Sequence, residues 1–263
     1  MPGSSLDHLV VNTRFETNAA QALFADLGFT LTPRGHHTLG SINHLVVFPQ
    51  AYLELIGLPQ GGGRLRQEIL DSPVGIDGLV LASRDAEASH AALAAAGFAV
   101  SPVQHFSRPV EIDGQTHDAR FSTVRLLPGQ LPAGRVYVCQ HHTPELLWRP
   151  EWTAHANGVR GIAGLAIVGP APLRLRGDYA RLGPLTPDFS TDFLDRAEFD
   201  ARYGALASFL PAREDFFGAI RLAGGDPAAM AARATAMALP AAQTRDGLAI
   251  ALPRFHTVLE FSA

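Results

Sequence analysis

The chain of 263 residues has one cysteine, Cys139, and no lysine, all 21 of its basic residues being arginine. A single cysteine excludes an intrachain disulfide framework and suits a reducing compartment, so the expected location is the cytoplasm. Excess charge of either sign is small: 25 acidic residues leave a formal net charge of -4, with no basic footprint for nucleic acid. No apolar run approaches the roughly 18 residues of a membrane span, so no membrane partner is expected. The opening "MPGSSLDHL" lacks a basic stretch followed by an apolar one, so no signal peptide is expected. Phosphate-binding loops, dinucleotide-binding glycine fingerprints and nucleophile elbows are missing after every strand-like run. At 47% hydrophobic the chain can bury a substantial core, and its arginine bias fits a high-GC bacterial genome.

What the sequence does contain is an internal repeat. "SLDHLVVN" at 5–12 recurs as "GIDGLVLA" at 75–82 and "GIAGLAIV" at 161–168, each a short, partly β-branched run that reads as a strand. Helical segments follow: "ALFADLGFTLTP" at 22–33, "AALAAAGFAVSP" at 91–102 and "DYARLGPLTP" at 178–187. Each ends at a glycine, Gly28, Gly97 or Gly183, lying 20, 19 and 19 residues after the fourth residue of its strand. Glycine is the expected residue after a helix C-terminus because it adopts the left-handed conformation without strain. The closing parts rhyme as well. "LVVFPQAYLELIG" at 45–57 resembles "LAIALPRFHTVLEFS" at 248–262, with Glu54 and Glu260 in matching places. The middle copy closes with "VRLLPGQLPAGRVYVCQ" at 124–140. The expected class is α+β: tandem βαβββ units forming a curled mixed sheet around a cleft. A paired region over 1–158 precedes a third partial unit over 159–263, interrupted by a helical insertion at about 188–244. That insertion is read as a cover over an exposed sheet edge, a lid over a pocket or a homodimer contact.

The stretches "LDHLVV", "LGSINHLVVF", "AYLELIG" and "CQHHTPELLWRPEW" resemble the vicinal oxygen chelate superfamily, in particular its bacterial glyoxalase-like domain proteins. The resemblance covers about residues 5–170, with a weaker copy beyond. It implies two units enclosing a cleft, with ligands for a divalent metal on the first and last strands of each. His8 then stands at a first-strand position and Glu54 at a last-strand position. The chemistry agrees, since imidazole and carboxylate suit Zn, Mn, Fe or Ni, and an unpaired carboxylate among apolar neighbours is costly. In the second unit Gly78 replaces a histidine, and the last-strand position falls near Cys139 or Gln140. A third ligand is therefore sought in His141, His142 or His44. Adjacent strand residues face opposite ways, and His141 is preferred over His142.

The implied activity is that of a metal-dependent lyase, isomerase or dioxygenase acting on a small molecule with vicinal oxygens, with Glu54 or His44 moving the proton. The alternative is a metal-free binding or resistance protein using the same cleft, which Gly78 favours. Arg108, Arg120 and Arg125 are candidates for gripping a substrate carboxylate. Trp148 is a candidate pocket wall, although Trp148 and Trp152 also suit a linker wedge. His36 and His37, in a turn, read as solvated; His90, His105 and His117 carry no functional signal.

Overall fold

The computed structural model describes residues 4–61 and 65–262. The first repeat folds as β1 (Leu6–Arg14), α1 (Thr17–Asp26), β2 (Gly35–His36), β3 (Ile42–Val47) and β4 (Tyr52–Gly57). After the short α2 (Gln67–Asp71) comes the second: β5 (Gly75–Ala82), α3 (Ala86–Ala95), β6 (Gln104–Ile112), β7 (Gln115–Arg125) and β8 (Arg135–His141). Their strands join in one curled, nearly barrel-shaped sheet of order β2-β3-β4-β1-β5-β8-β7-β6. The first strands β1 and β5 pair antiparallel at its centre, and each last strand, β4 or β8, lies parallel beside its first. The repeat glycines Gly28, Gly97 and Gly183 have φ of +87°, +82° and +96°, the left-handed conformation that closes the preceding helix.

Strand alternation sorts the residues between the two faces of this sheet. Leu9, Val11, Leu53, Leu55, Leu79 and Leu81 join the large core on the convex side. His8, Tyr52, Glu54, Tyr137 and Cys139 line the concave side.

Beyond α4 (Pro150–Thr153) the chain forms β9 (Val159–Val168), α5 (Pro172–Ala180), β10 (Ser190–Leu194), α6 (Arg196–Tyr203), β11 (Phe216–Gly224), α7 (Pro227–Ala236), β12 (Ala241–Gln243), β13 (Leu248–Leu252) and β14 (Thr257–Ser262). These strands make a second sheet of order β10-β9-β11-β14-β13-β12. Leu165, Ile220, Leu259 and Phe261 of this sheet share the large core with Leu9 and Leu81 of the first. The two sheets thus bury their convex faces in common.

The α+β architecture and the paired units are as the repeat implies, but the segment 188–244 is more than a helical insertion. The closing hairpin β13–β14 does not return to β9: β14 pairs in parallel with β11, and β9 takes β10 as its parallel neighbour. Residues 216–262 are therefore a fourth, complete βαβββ unit, and the third unit is reduced to β9, α5 and β10. The phrase "FFGAIRLAGGDPAAMAARATA" carried the signal, being a strand followed by a helix that Asp226 caps through the Ala228 N–H.

The remaining helical piece, α6 with the turn Gly204–Phe209, packs into the concave face of the second sheet. There Ala166, Ala219, Ala249 and Ala251 leave room for Phe199, Tyr203 and Leu206, all buried. Glu260 faces this filled cleft and accepts from the Arg202 guanidinium at 2.9 Å, the Tyr203 hydroxyl at 3.0 Å and the Thr244 hydroxyl at 2.7 Å. Phe199, wholly buried against Gly218, anchors the plug. Phe199→Ala is expected to lower stability by about 3–5 kcal/mol in urea denaturation, as for large cavities in packed cores. A midpoint left in place would show that the plug contributes little.

Candidate functional site

The first cleft stays open to polar groups. A register break between Leu6 and His8 in the β1–β5 pairing turns Asp7 toward the same side as His8. Asp7 and His8 are each 3% exposed. His8 Nδ1 donates to Asp7 Oδ1 at 2.5 Å, which leaves Nε2 free to accept from the Tyr137 hydroxyl at 3.2 Å. The ring stacks on Tyr52, 4.3 Å between centroids. Across from it, Glu54 Oε2 lies 3.8 Å from His8 Nε2. The other oxygen, Oε1, accepts from the Asn43 amide at 2.6 Å and stands 4.0 Å from His37 Nε2.

Burial by itself raises both carboxyls, but their surroundings win. His141 and His8 hold Asp7 far below the ordinary carboxylate range, and His37, His8 and the Asn43 hydrogen bond hold Glu54 below it. His37 is pushed down to about 4, chiefly by burial against the opposing pull of Glu54. Burial raises the Tyr137 hydroxyl, reinforced by Glu54, so it remains a proton donor. Arg108 is 4% exposed and lines the same chamber, yet no carboxylate pairs with it among the described residues and its Nη2 has no hydrogen-bond partner.

Free space in the chamber is about 30 Å³, enough to admit water and little more. Outside it, Arg125 and Tyr137 also line a cavity of about 690 Å³ walled by Leu126, Leu131 and Pro132. Glu68 of α2 sits at this boundary, 2.6 Å from Arg66, 3.2 Å from Arg135 and 3.5 Å from Arg125. Those arginines hold its carboxyl down at about 2 despite burial.

The residues singled out in the sequence fall into three groups. His8, Glu54 and Arg108 meet in the chamber, with Trp148 at its edge, where its indole N–H donates to the Phe48 carbonyl at 3.1 Å. His141 is on the concave side but on the far side of Asp7, with Nε2 3.1 Å from Oδ2. His142 faces outward to Ser122. His44 and Arg120 are not in the cleft. His44 alternates to the convex side, where it bonds the Thr32 carbonyl at 2.9 Å, and Arg120 is exposed on the outer face of β7. His37, read as solvated, is buried beside Glu54 because the β2–β3 turn folds over the sheet. Its partners Asn43 and Ser41 lie within six residues in sequence.

The second unit's last-strand position is occupied by neither Cys139 nor Gln140. Val10 pairs with Glu54 and Val80 with Tyr137, so Tyr137 takes that place. The opposing first-strand site is Gly78, where a Cβ would lie 2.7 Å from Val10 Cγ2. A histidine there does not fit this packing. Asp7, Asn43, Tyr52 and Tyr137 went unnoticed, although Tyr52 and Tyr137 share a strand face with Glu54 and Cys139, and Asp7 and Asn43 adjoin His8 and His44.

Asp7, Cys139 and His141 also place three donor atoms within 4.8 Å of one another. Residues 6–183 match the family model of the glyoxalase-like domain. No curated protein is significantly similar in sequence. Among solved structures the chain resembles a hypothetical protein from Staphylococcus aureus, with a TM-score of 0.59, 10% identity, and 98% and 99% of the two chains covered. It also resembles a mutant of 4-hydroxymandelate synthase from Streptomyces coelicolor, with a TM-score of 0.56 and 15% identity, covering 99% of this chain and 92% of that one. A fusion of a xylose isomerase-like TIM barrel with 4-hydroxyphenylpyruvate dioxygenase gives 0.57 and 13%, covering 99% of this chain and 49% of the fusion. At these identities the likeness is one of fold.

The burial of His37 predicts a pH effect with a definite sign. A solvated imidazole takes up its proton near 6.5, whereas His37 in the folded chain does so only near 4. Between these values the unfolded chain binds more protons, so stability falls as pH is lowered through the window, by up to about 3 kcal/mol for this residue. Asp7 and Glu54, with depressed carboxyls, add losses at still lower pH. Urea unfolding across this window is expected to show the decline, and His37→Gln to flatten it. An unchanged slope in the variant would exclude His37 as its source.

Proposed function

Because the chain belongs to the glyoxalase-like domain family, we propose that its first cleft is the active site of a metal-assisted lyase, isomerase or dioxygenase for a small organic anion with vicinal oxygens. The observation that carries this reading is Arg108. A buried guanidinium without a carboxylate partner is costly, and it shares the chamber with His8 and Glu54. A substrate carboxylate entering beside Arg108 would supply the missing charge in the geometry that guanidinium favours. The names of two structural neighbours, a hydroxymandelate synthase and a hydroxyphenylpyruvate dioxygenase, accord with hydroxy- and oxo-acid chemistry.

By residue type the donor set suits a divalent metal, although in this structure the three donor atoms are not gathered within 4.8 Å of one another. Glu54 lies between two imidazoles, its oxygens 3.8 Å from His8 and 4.0 Å from His37, which are the residue types of a two-histidine, one-carboxylate centre. Asp7 orients His8 as an outer partner does in such sites. His8, Glu54 and His37 would hold the ion, and its Lewis acidity would polarise the substrate's paired oxygens. The protein's own groups do the rest. Arg108 fixes the carboxylate, and Tyr137 keeps its proton and donates toward a developing oxyanion. Of the two proton carriers expected, only Glu54 faces the chamber, so proton movement at carbon falls to it. Phe106 and Phe121 wall the chamber against water.

A metal-free binding protein is favoured by Gly78 and the neutral Tyr137, which leave the second unit without an anionic donor. The two readings separate in one experiment. Chelator-treated protein titrated with Mn, Fe(II), Ni and Zn is expected to bind well below about millimolar, with affinity reduced in Glu54→Gln. If no ion binds that tightly to the cleft, the binding-protein reading replaces the enzyme. In either case Arg108→Gln is expected to weaken binding of a 2-oxo acid about 10- to 100-fold, the worth of a charge-assisted hydrogen bond. Unchanged binding would remove Arg108 from the site.

A further inference from the structure

We propose that Asp7, Cys139 and His141 form a second metal site, beside the His8–Glu54 pair in the same cleft, which takes a zinc-class ion. Their donor atoms all lie within 4.8 Å of one another. Cys139 and His141 sit two residues apart on one face of β8, and Asp7 reaches them across β5 from the register break in β1. All three are shut away from solvent: Asp7 and Cys139 are each 3% exposed, and the His141 side chain is 7% exposed.

Three features suit a cation here. Among the described residues Asp7 has no arginine partner, only the imidazoles of His8 and His141. His141 turns Nε2 toward that carboxylate, 3.1 Å from Oδ2, where it can ligate. Cys139 is a buried free thiol beside that carboxylate. A thiolate, an imidazole and a carboxylate together suit zinc far better than magnesium, calcium or manganese. Cys139 lines the same chamber and Asp7 bonds His8, but the donor group includes none of His8, Glu54, Gly78 and Tyr137.

Binding balances simply. His141 moves its proton from Nε2 to Nδ1 and turns a lone pair to the ion. Cys139 loses its thiol proton to solvent, so one proton is released per ion. Without metal that thiol stays protonated, since burial, with the charges of Asp7 and Glu54, raises it well above its ordinary value. Asp7 Oδ1 remains on His8 Nδ1 while Oδ2 faces the ion, so the new site braces the histidine of the cleft.

Cobalt titration of the chelator-treated full chain tests this, with zinc as competitor. The expected result is a near-ultraviolet thiolate-to-cobalt charge-transfer band that zinc abolishes, with proton release in weak buffer. Cys139→Ser and His141→Gln are expected to weaken zinc binding at this site by more than about 100-fold, beyond the cost of losing an outer-shell partner. Glu54→Gln is expected to leave the band intact, which separates this site from the cleft reading. Cobalt binding without the band, zinc binding indifferent to Cys139→Ser, or loss of the band in Glu54→Gln would each overturn the proposal. If Cys139→Ser fails to fold, the band in the unaltered chain and its survival in Glu54→Gln decide.

Discussion

Everything in the first half of the molecule hangs on the antiparallel pairing of β1 with β5. It sets two βαβββ units about a common seam, so that the first and last strands of both converge on one concavity. The close approach of Val10 to Gly78 is part of that seam, and it makes the cleft lopsided. One unit contributes an imidazole and a carboxylate; the other contributes a glycine and a phenol. A side chain at Gly78 sufficient to restore symmetry would have to part the strands that create the cleft.

Charge burial is the second constraint. Asp7, His8, His37, Glu54 and Arg108 are all withdrawn from water within a chamber that admits little of it. Such groups are tolerated only where each has a partner, and most do: Asp7 with two histidines, Glu54 with Asn43 and two histidines. The exceptions are informative because desolvation has been incurred without local return. Arg108 Nη2 and His141 Nδ1 are such exceptions.

The second sheet shows the same architecture put to structural use. Ala219 stands to Val258 as His8 stands to Tyr52, and Glu260 stands to Arg221 as Glu54 stands to Val10. Alanines hollow the concave face, α6 fills it, and the matching carboxylate is paired from within by Arg202 and hydrogen-bonded by Tyr203 and Thr244. One cleft is therefore filled by the chain itself, and the other is left to small polar groups.

The sequence by itself determined the repeat, the α+β class and the strand faces, because the strand period and the glycine after each helix are local properties. His8 and Glu54 were legible for the same reason, being polar residues on otherwise apolar runs; Arg108, on the mixed strand QHFSRPVEI, was legible only as one of several arginines. The fourth unit was also written there, in residues 216–262, but helix-rich composition around it masked the strand. Only the tertiary structure decided which donors meet. His44 and His37 are seven residues apart, yet a turn over the sheet carries one into the chamber and alternation sends the other out. Tyr137 joins His8, and Asp7 joins His141, across 129 and 134 residues. Such pairs are set by the register between strands distant in the chain, and no local pattern encodes that register.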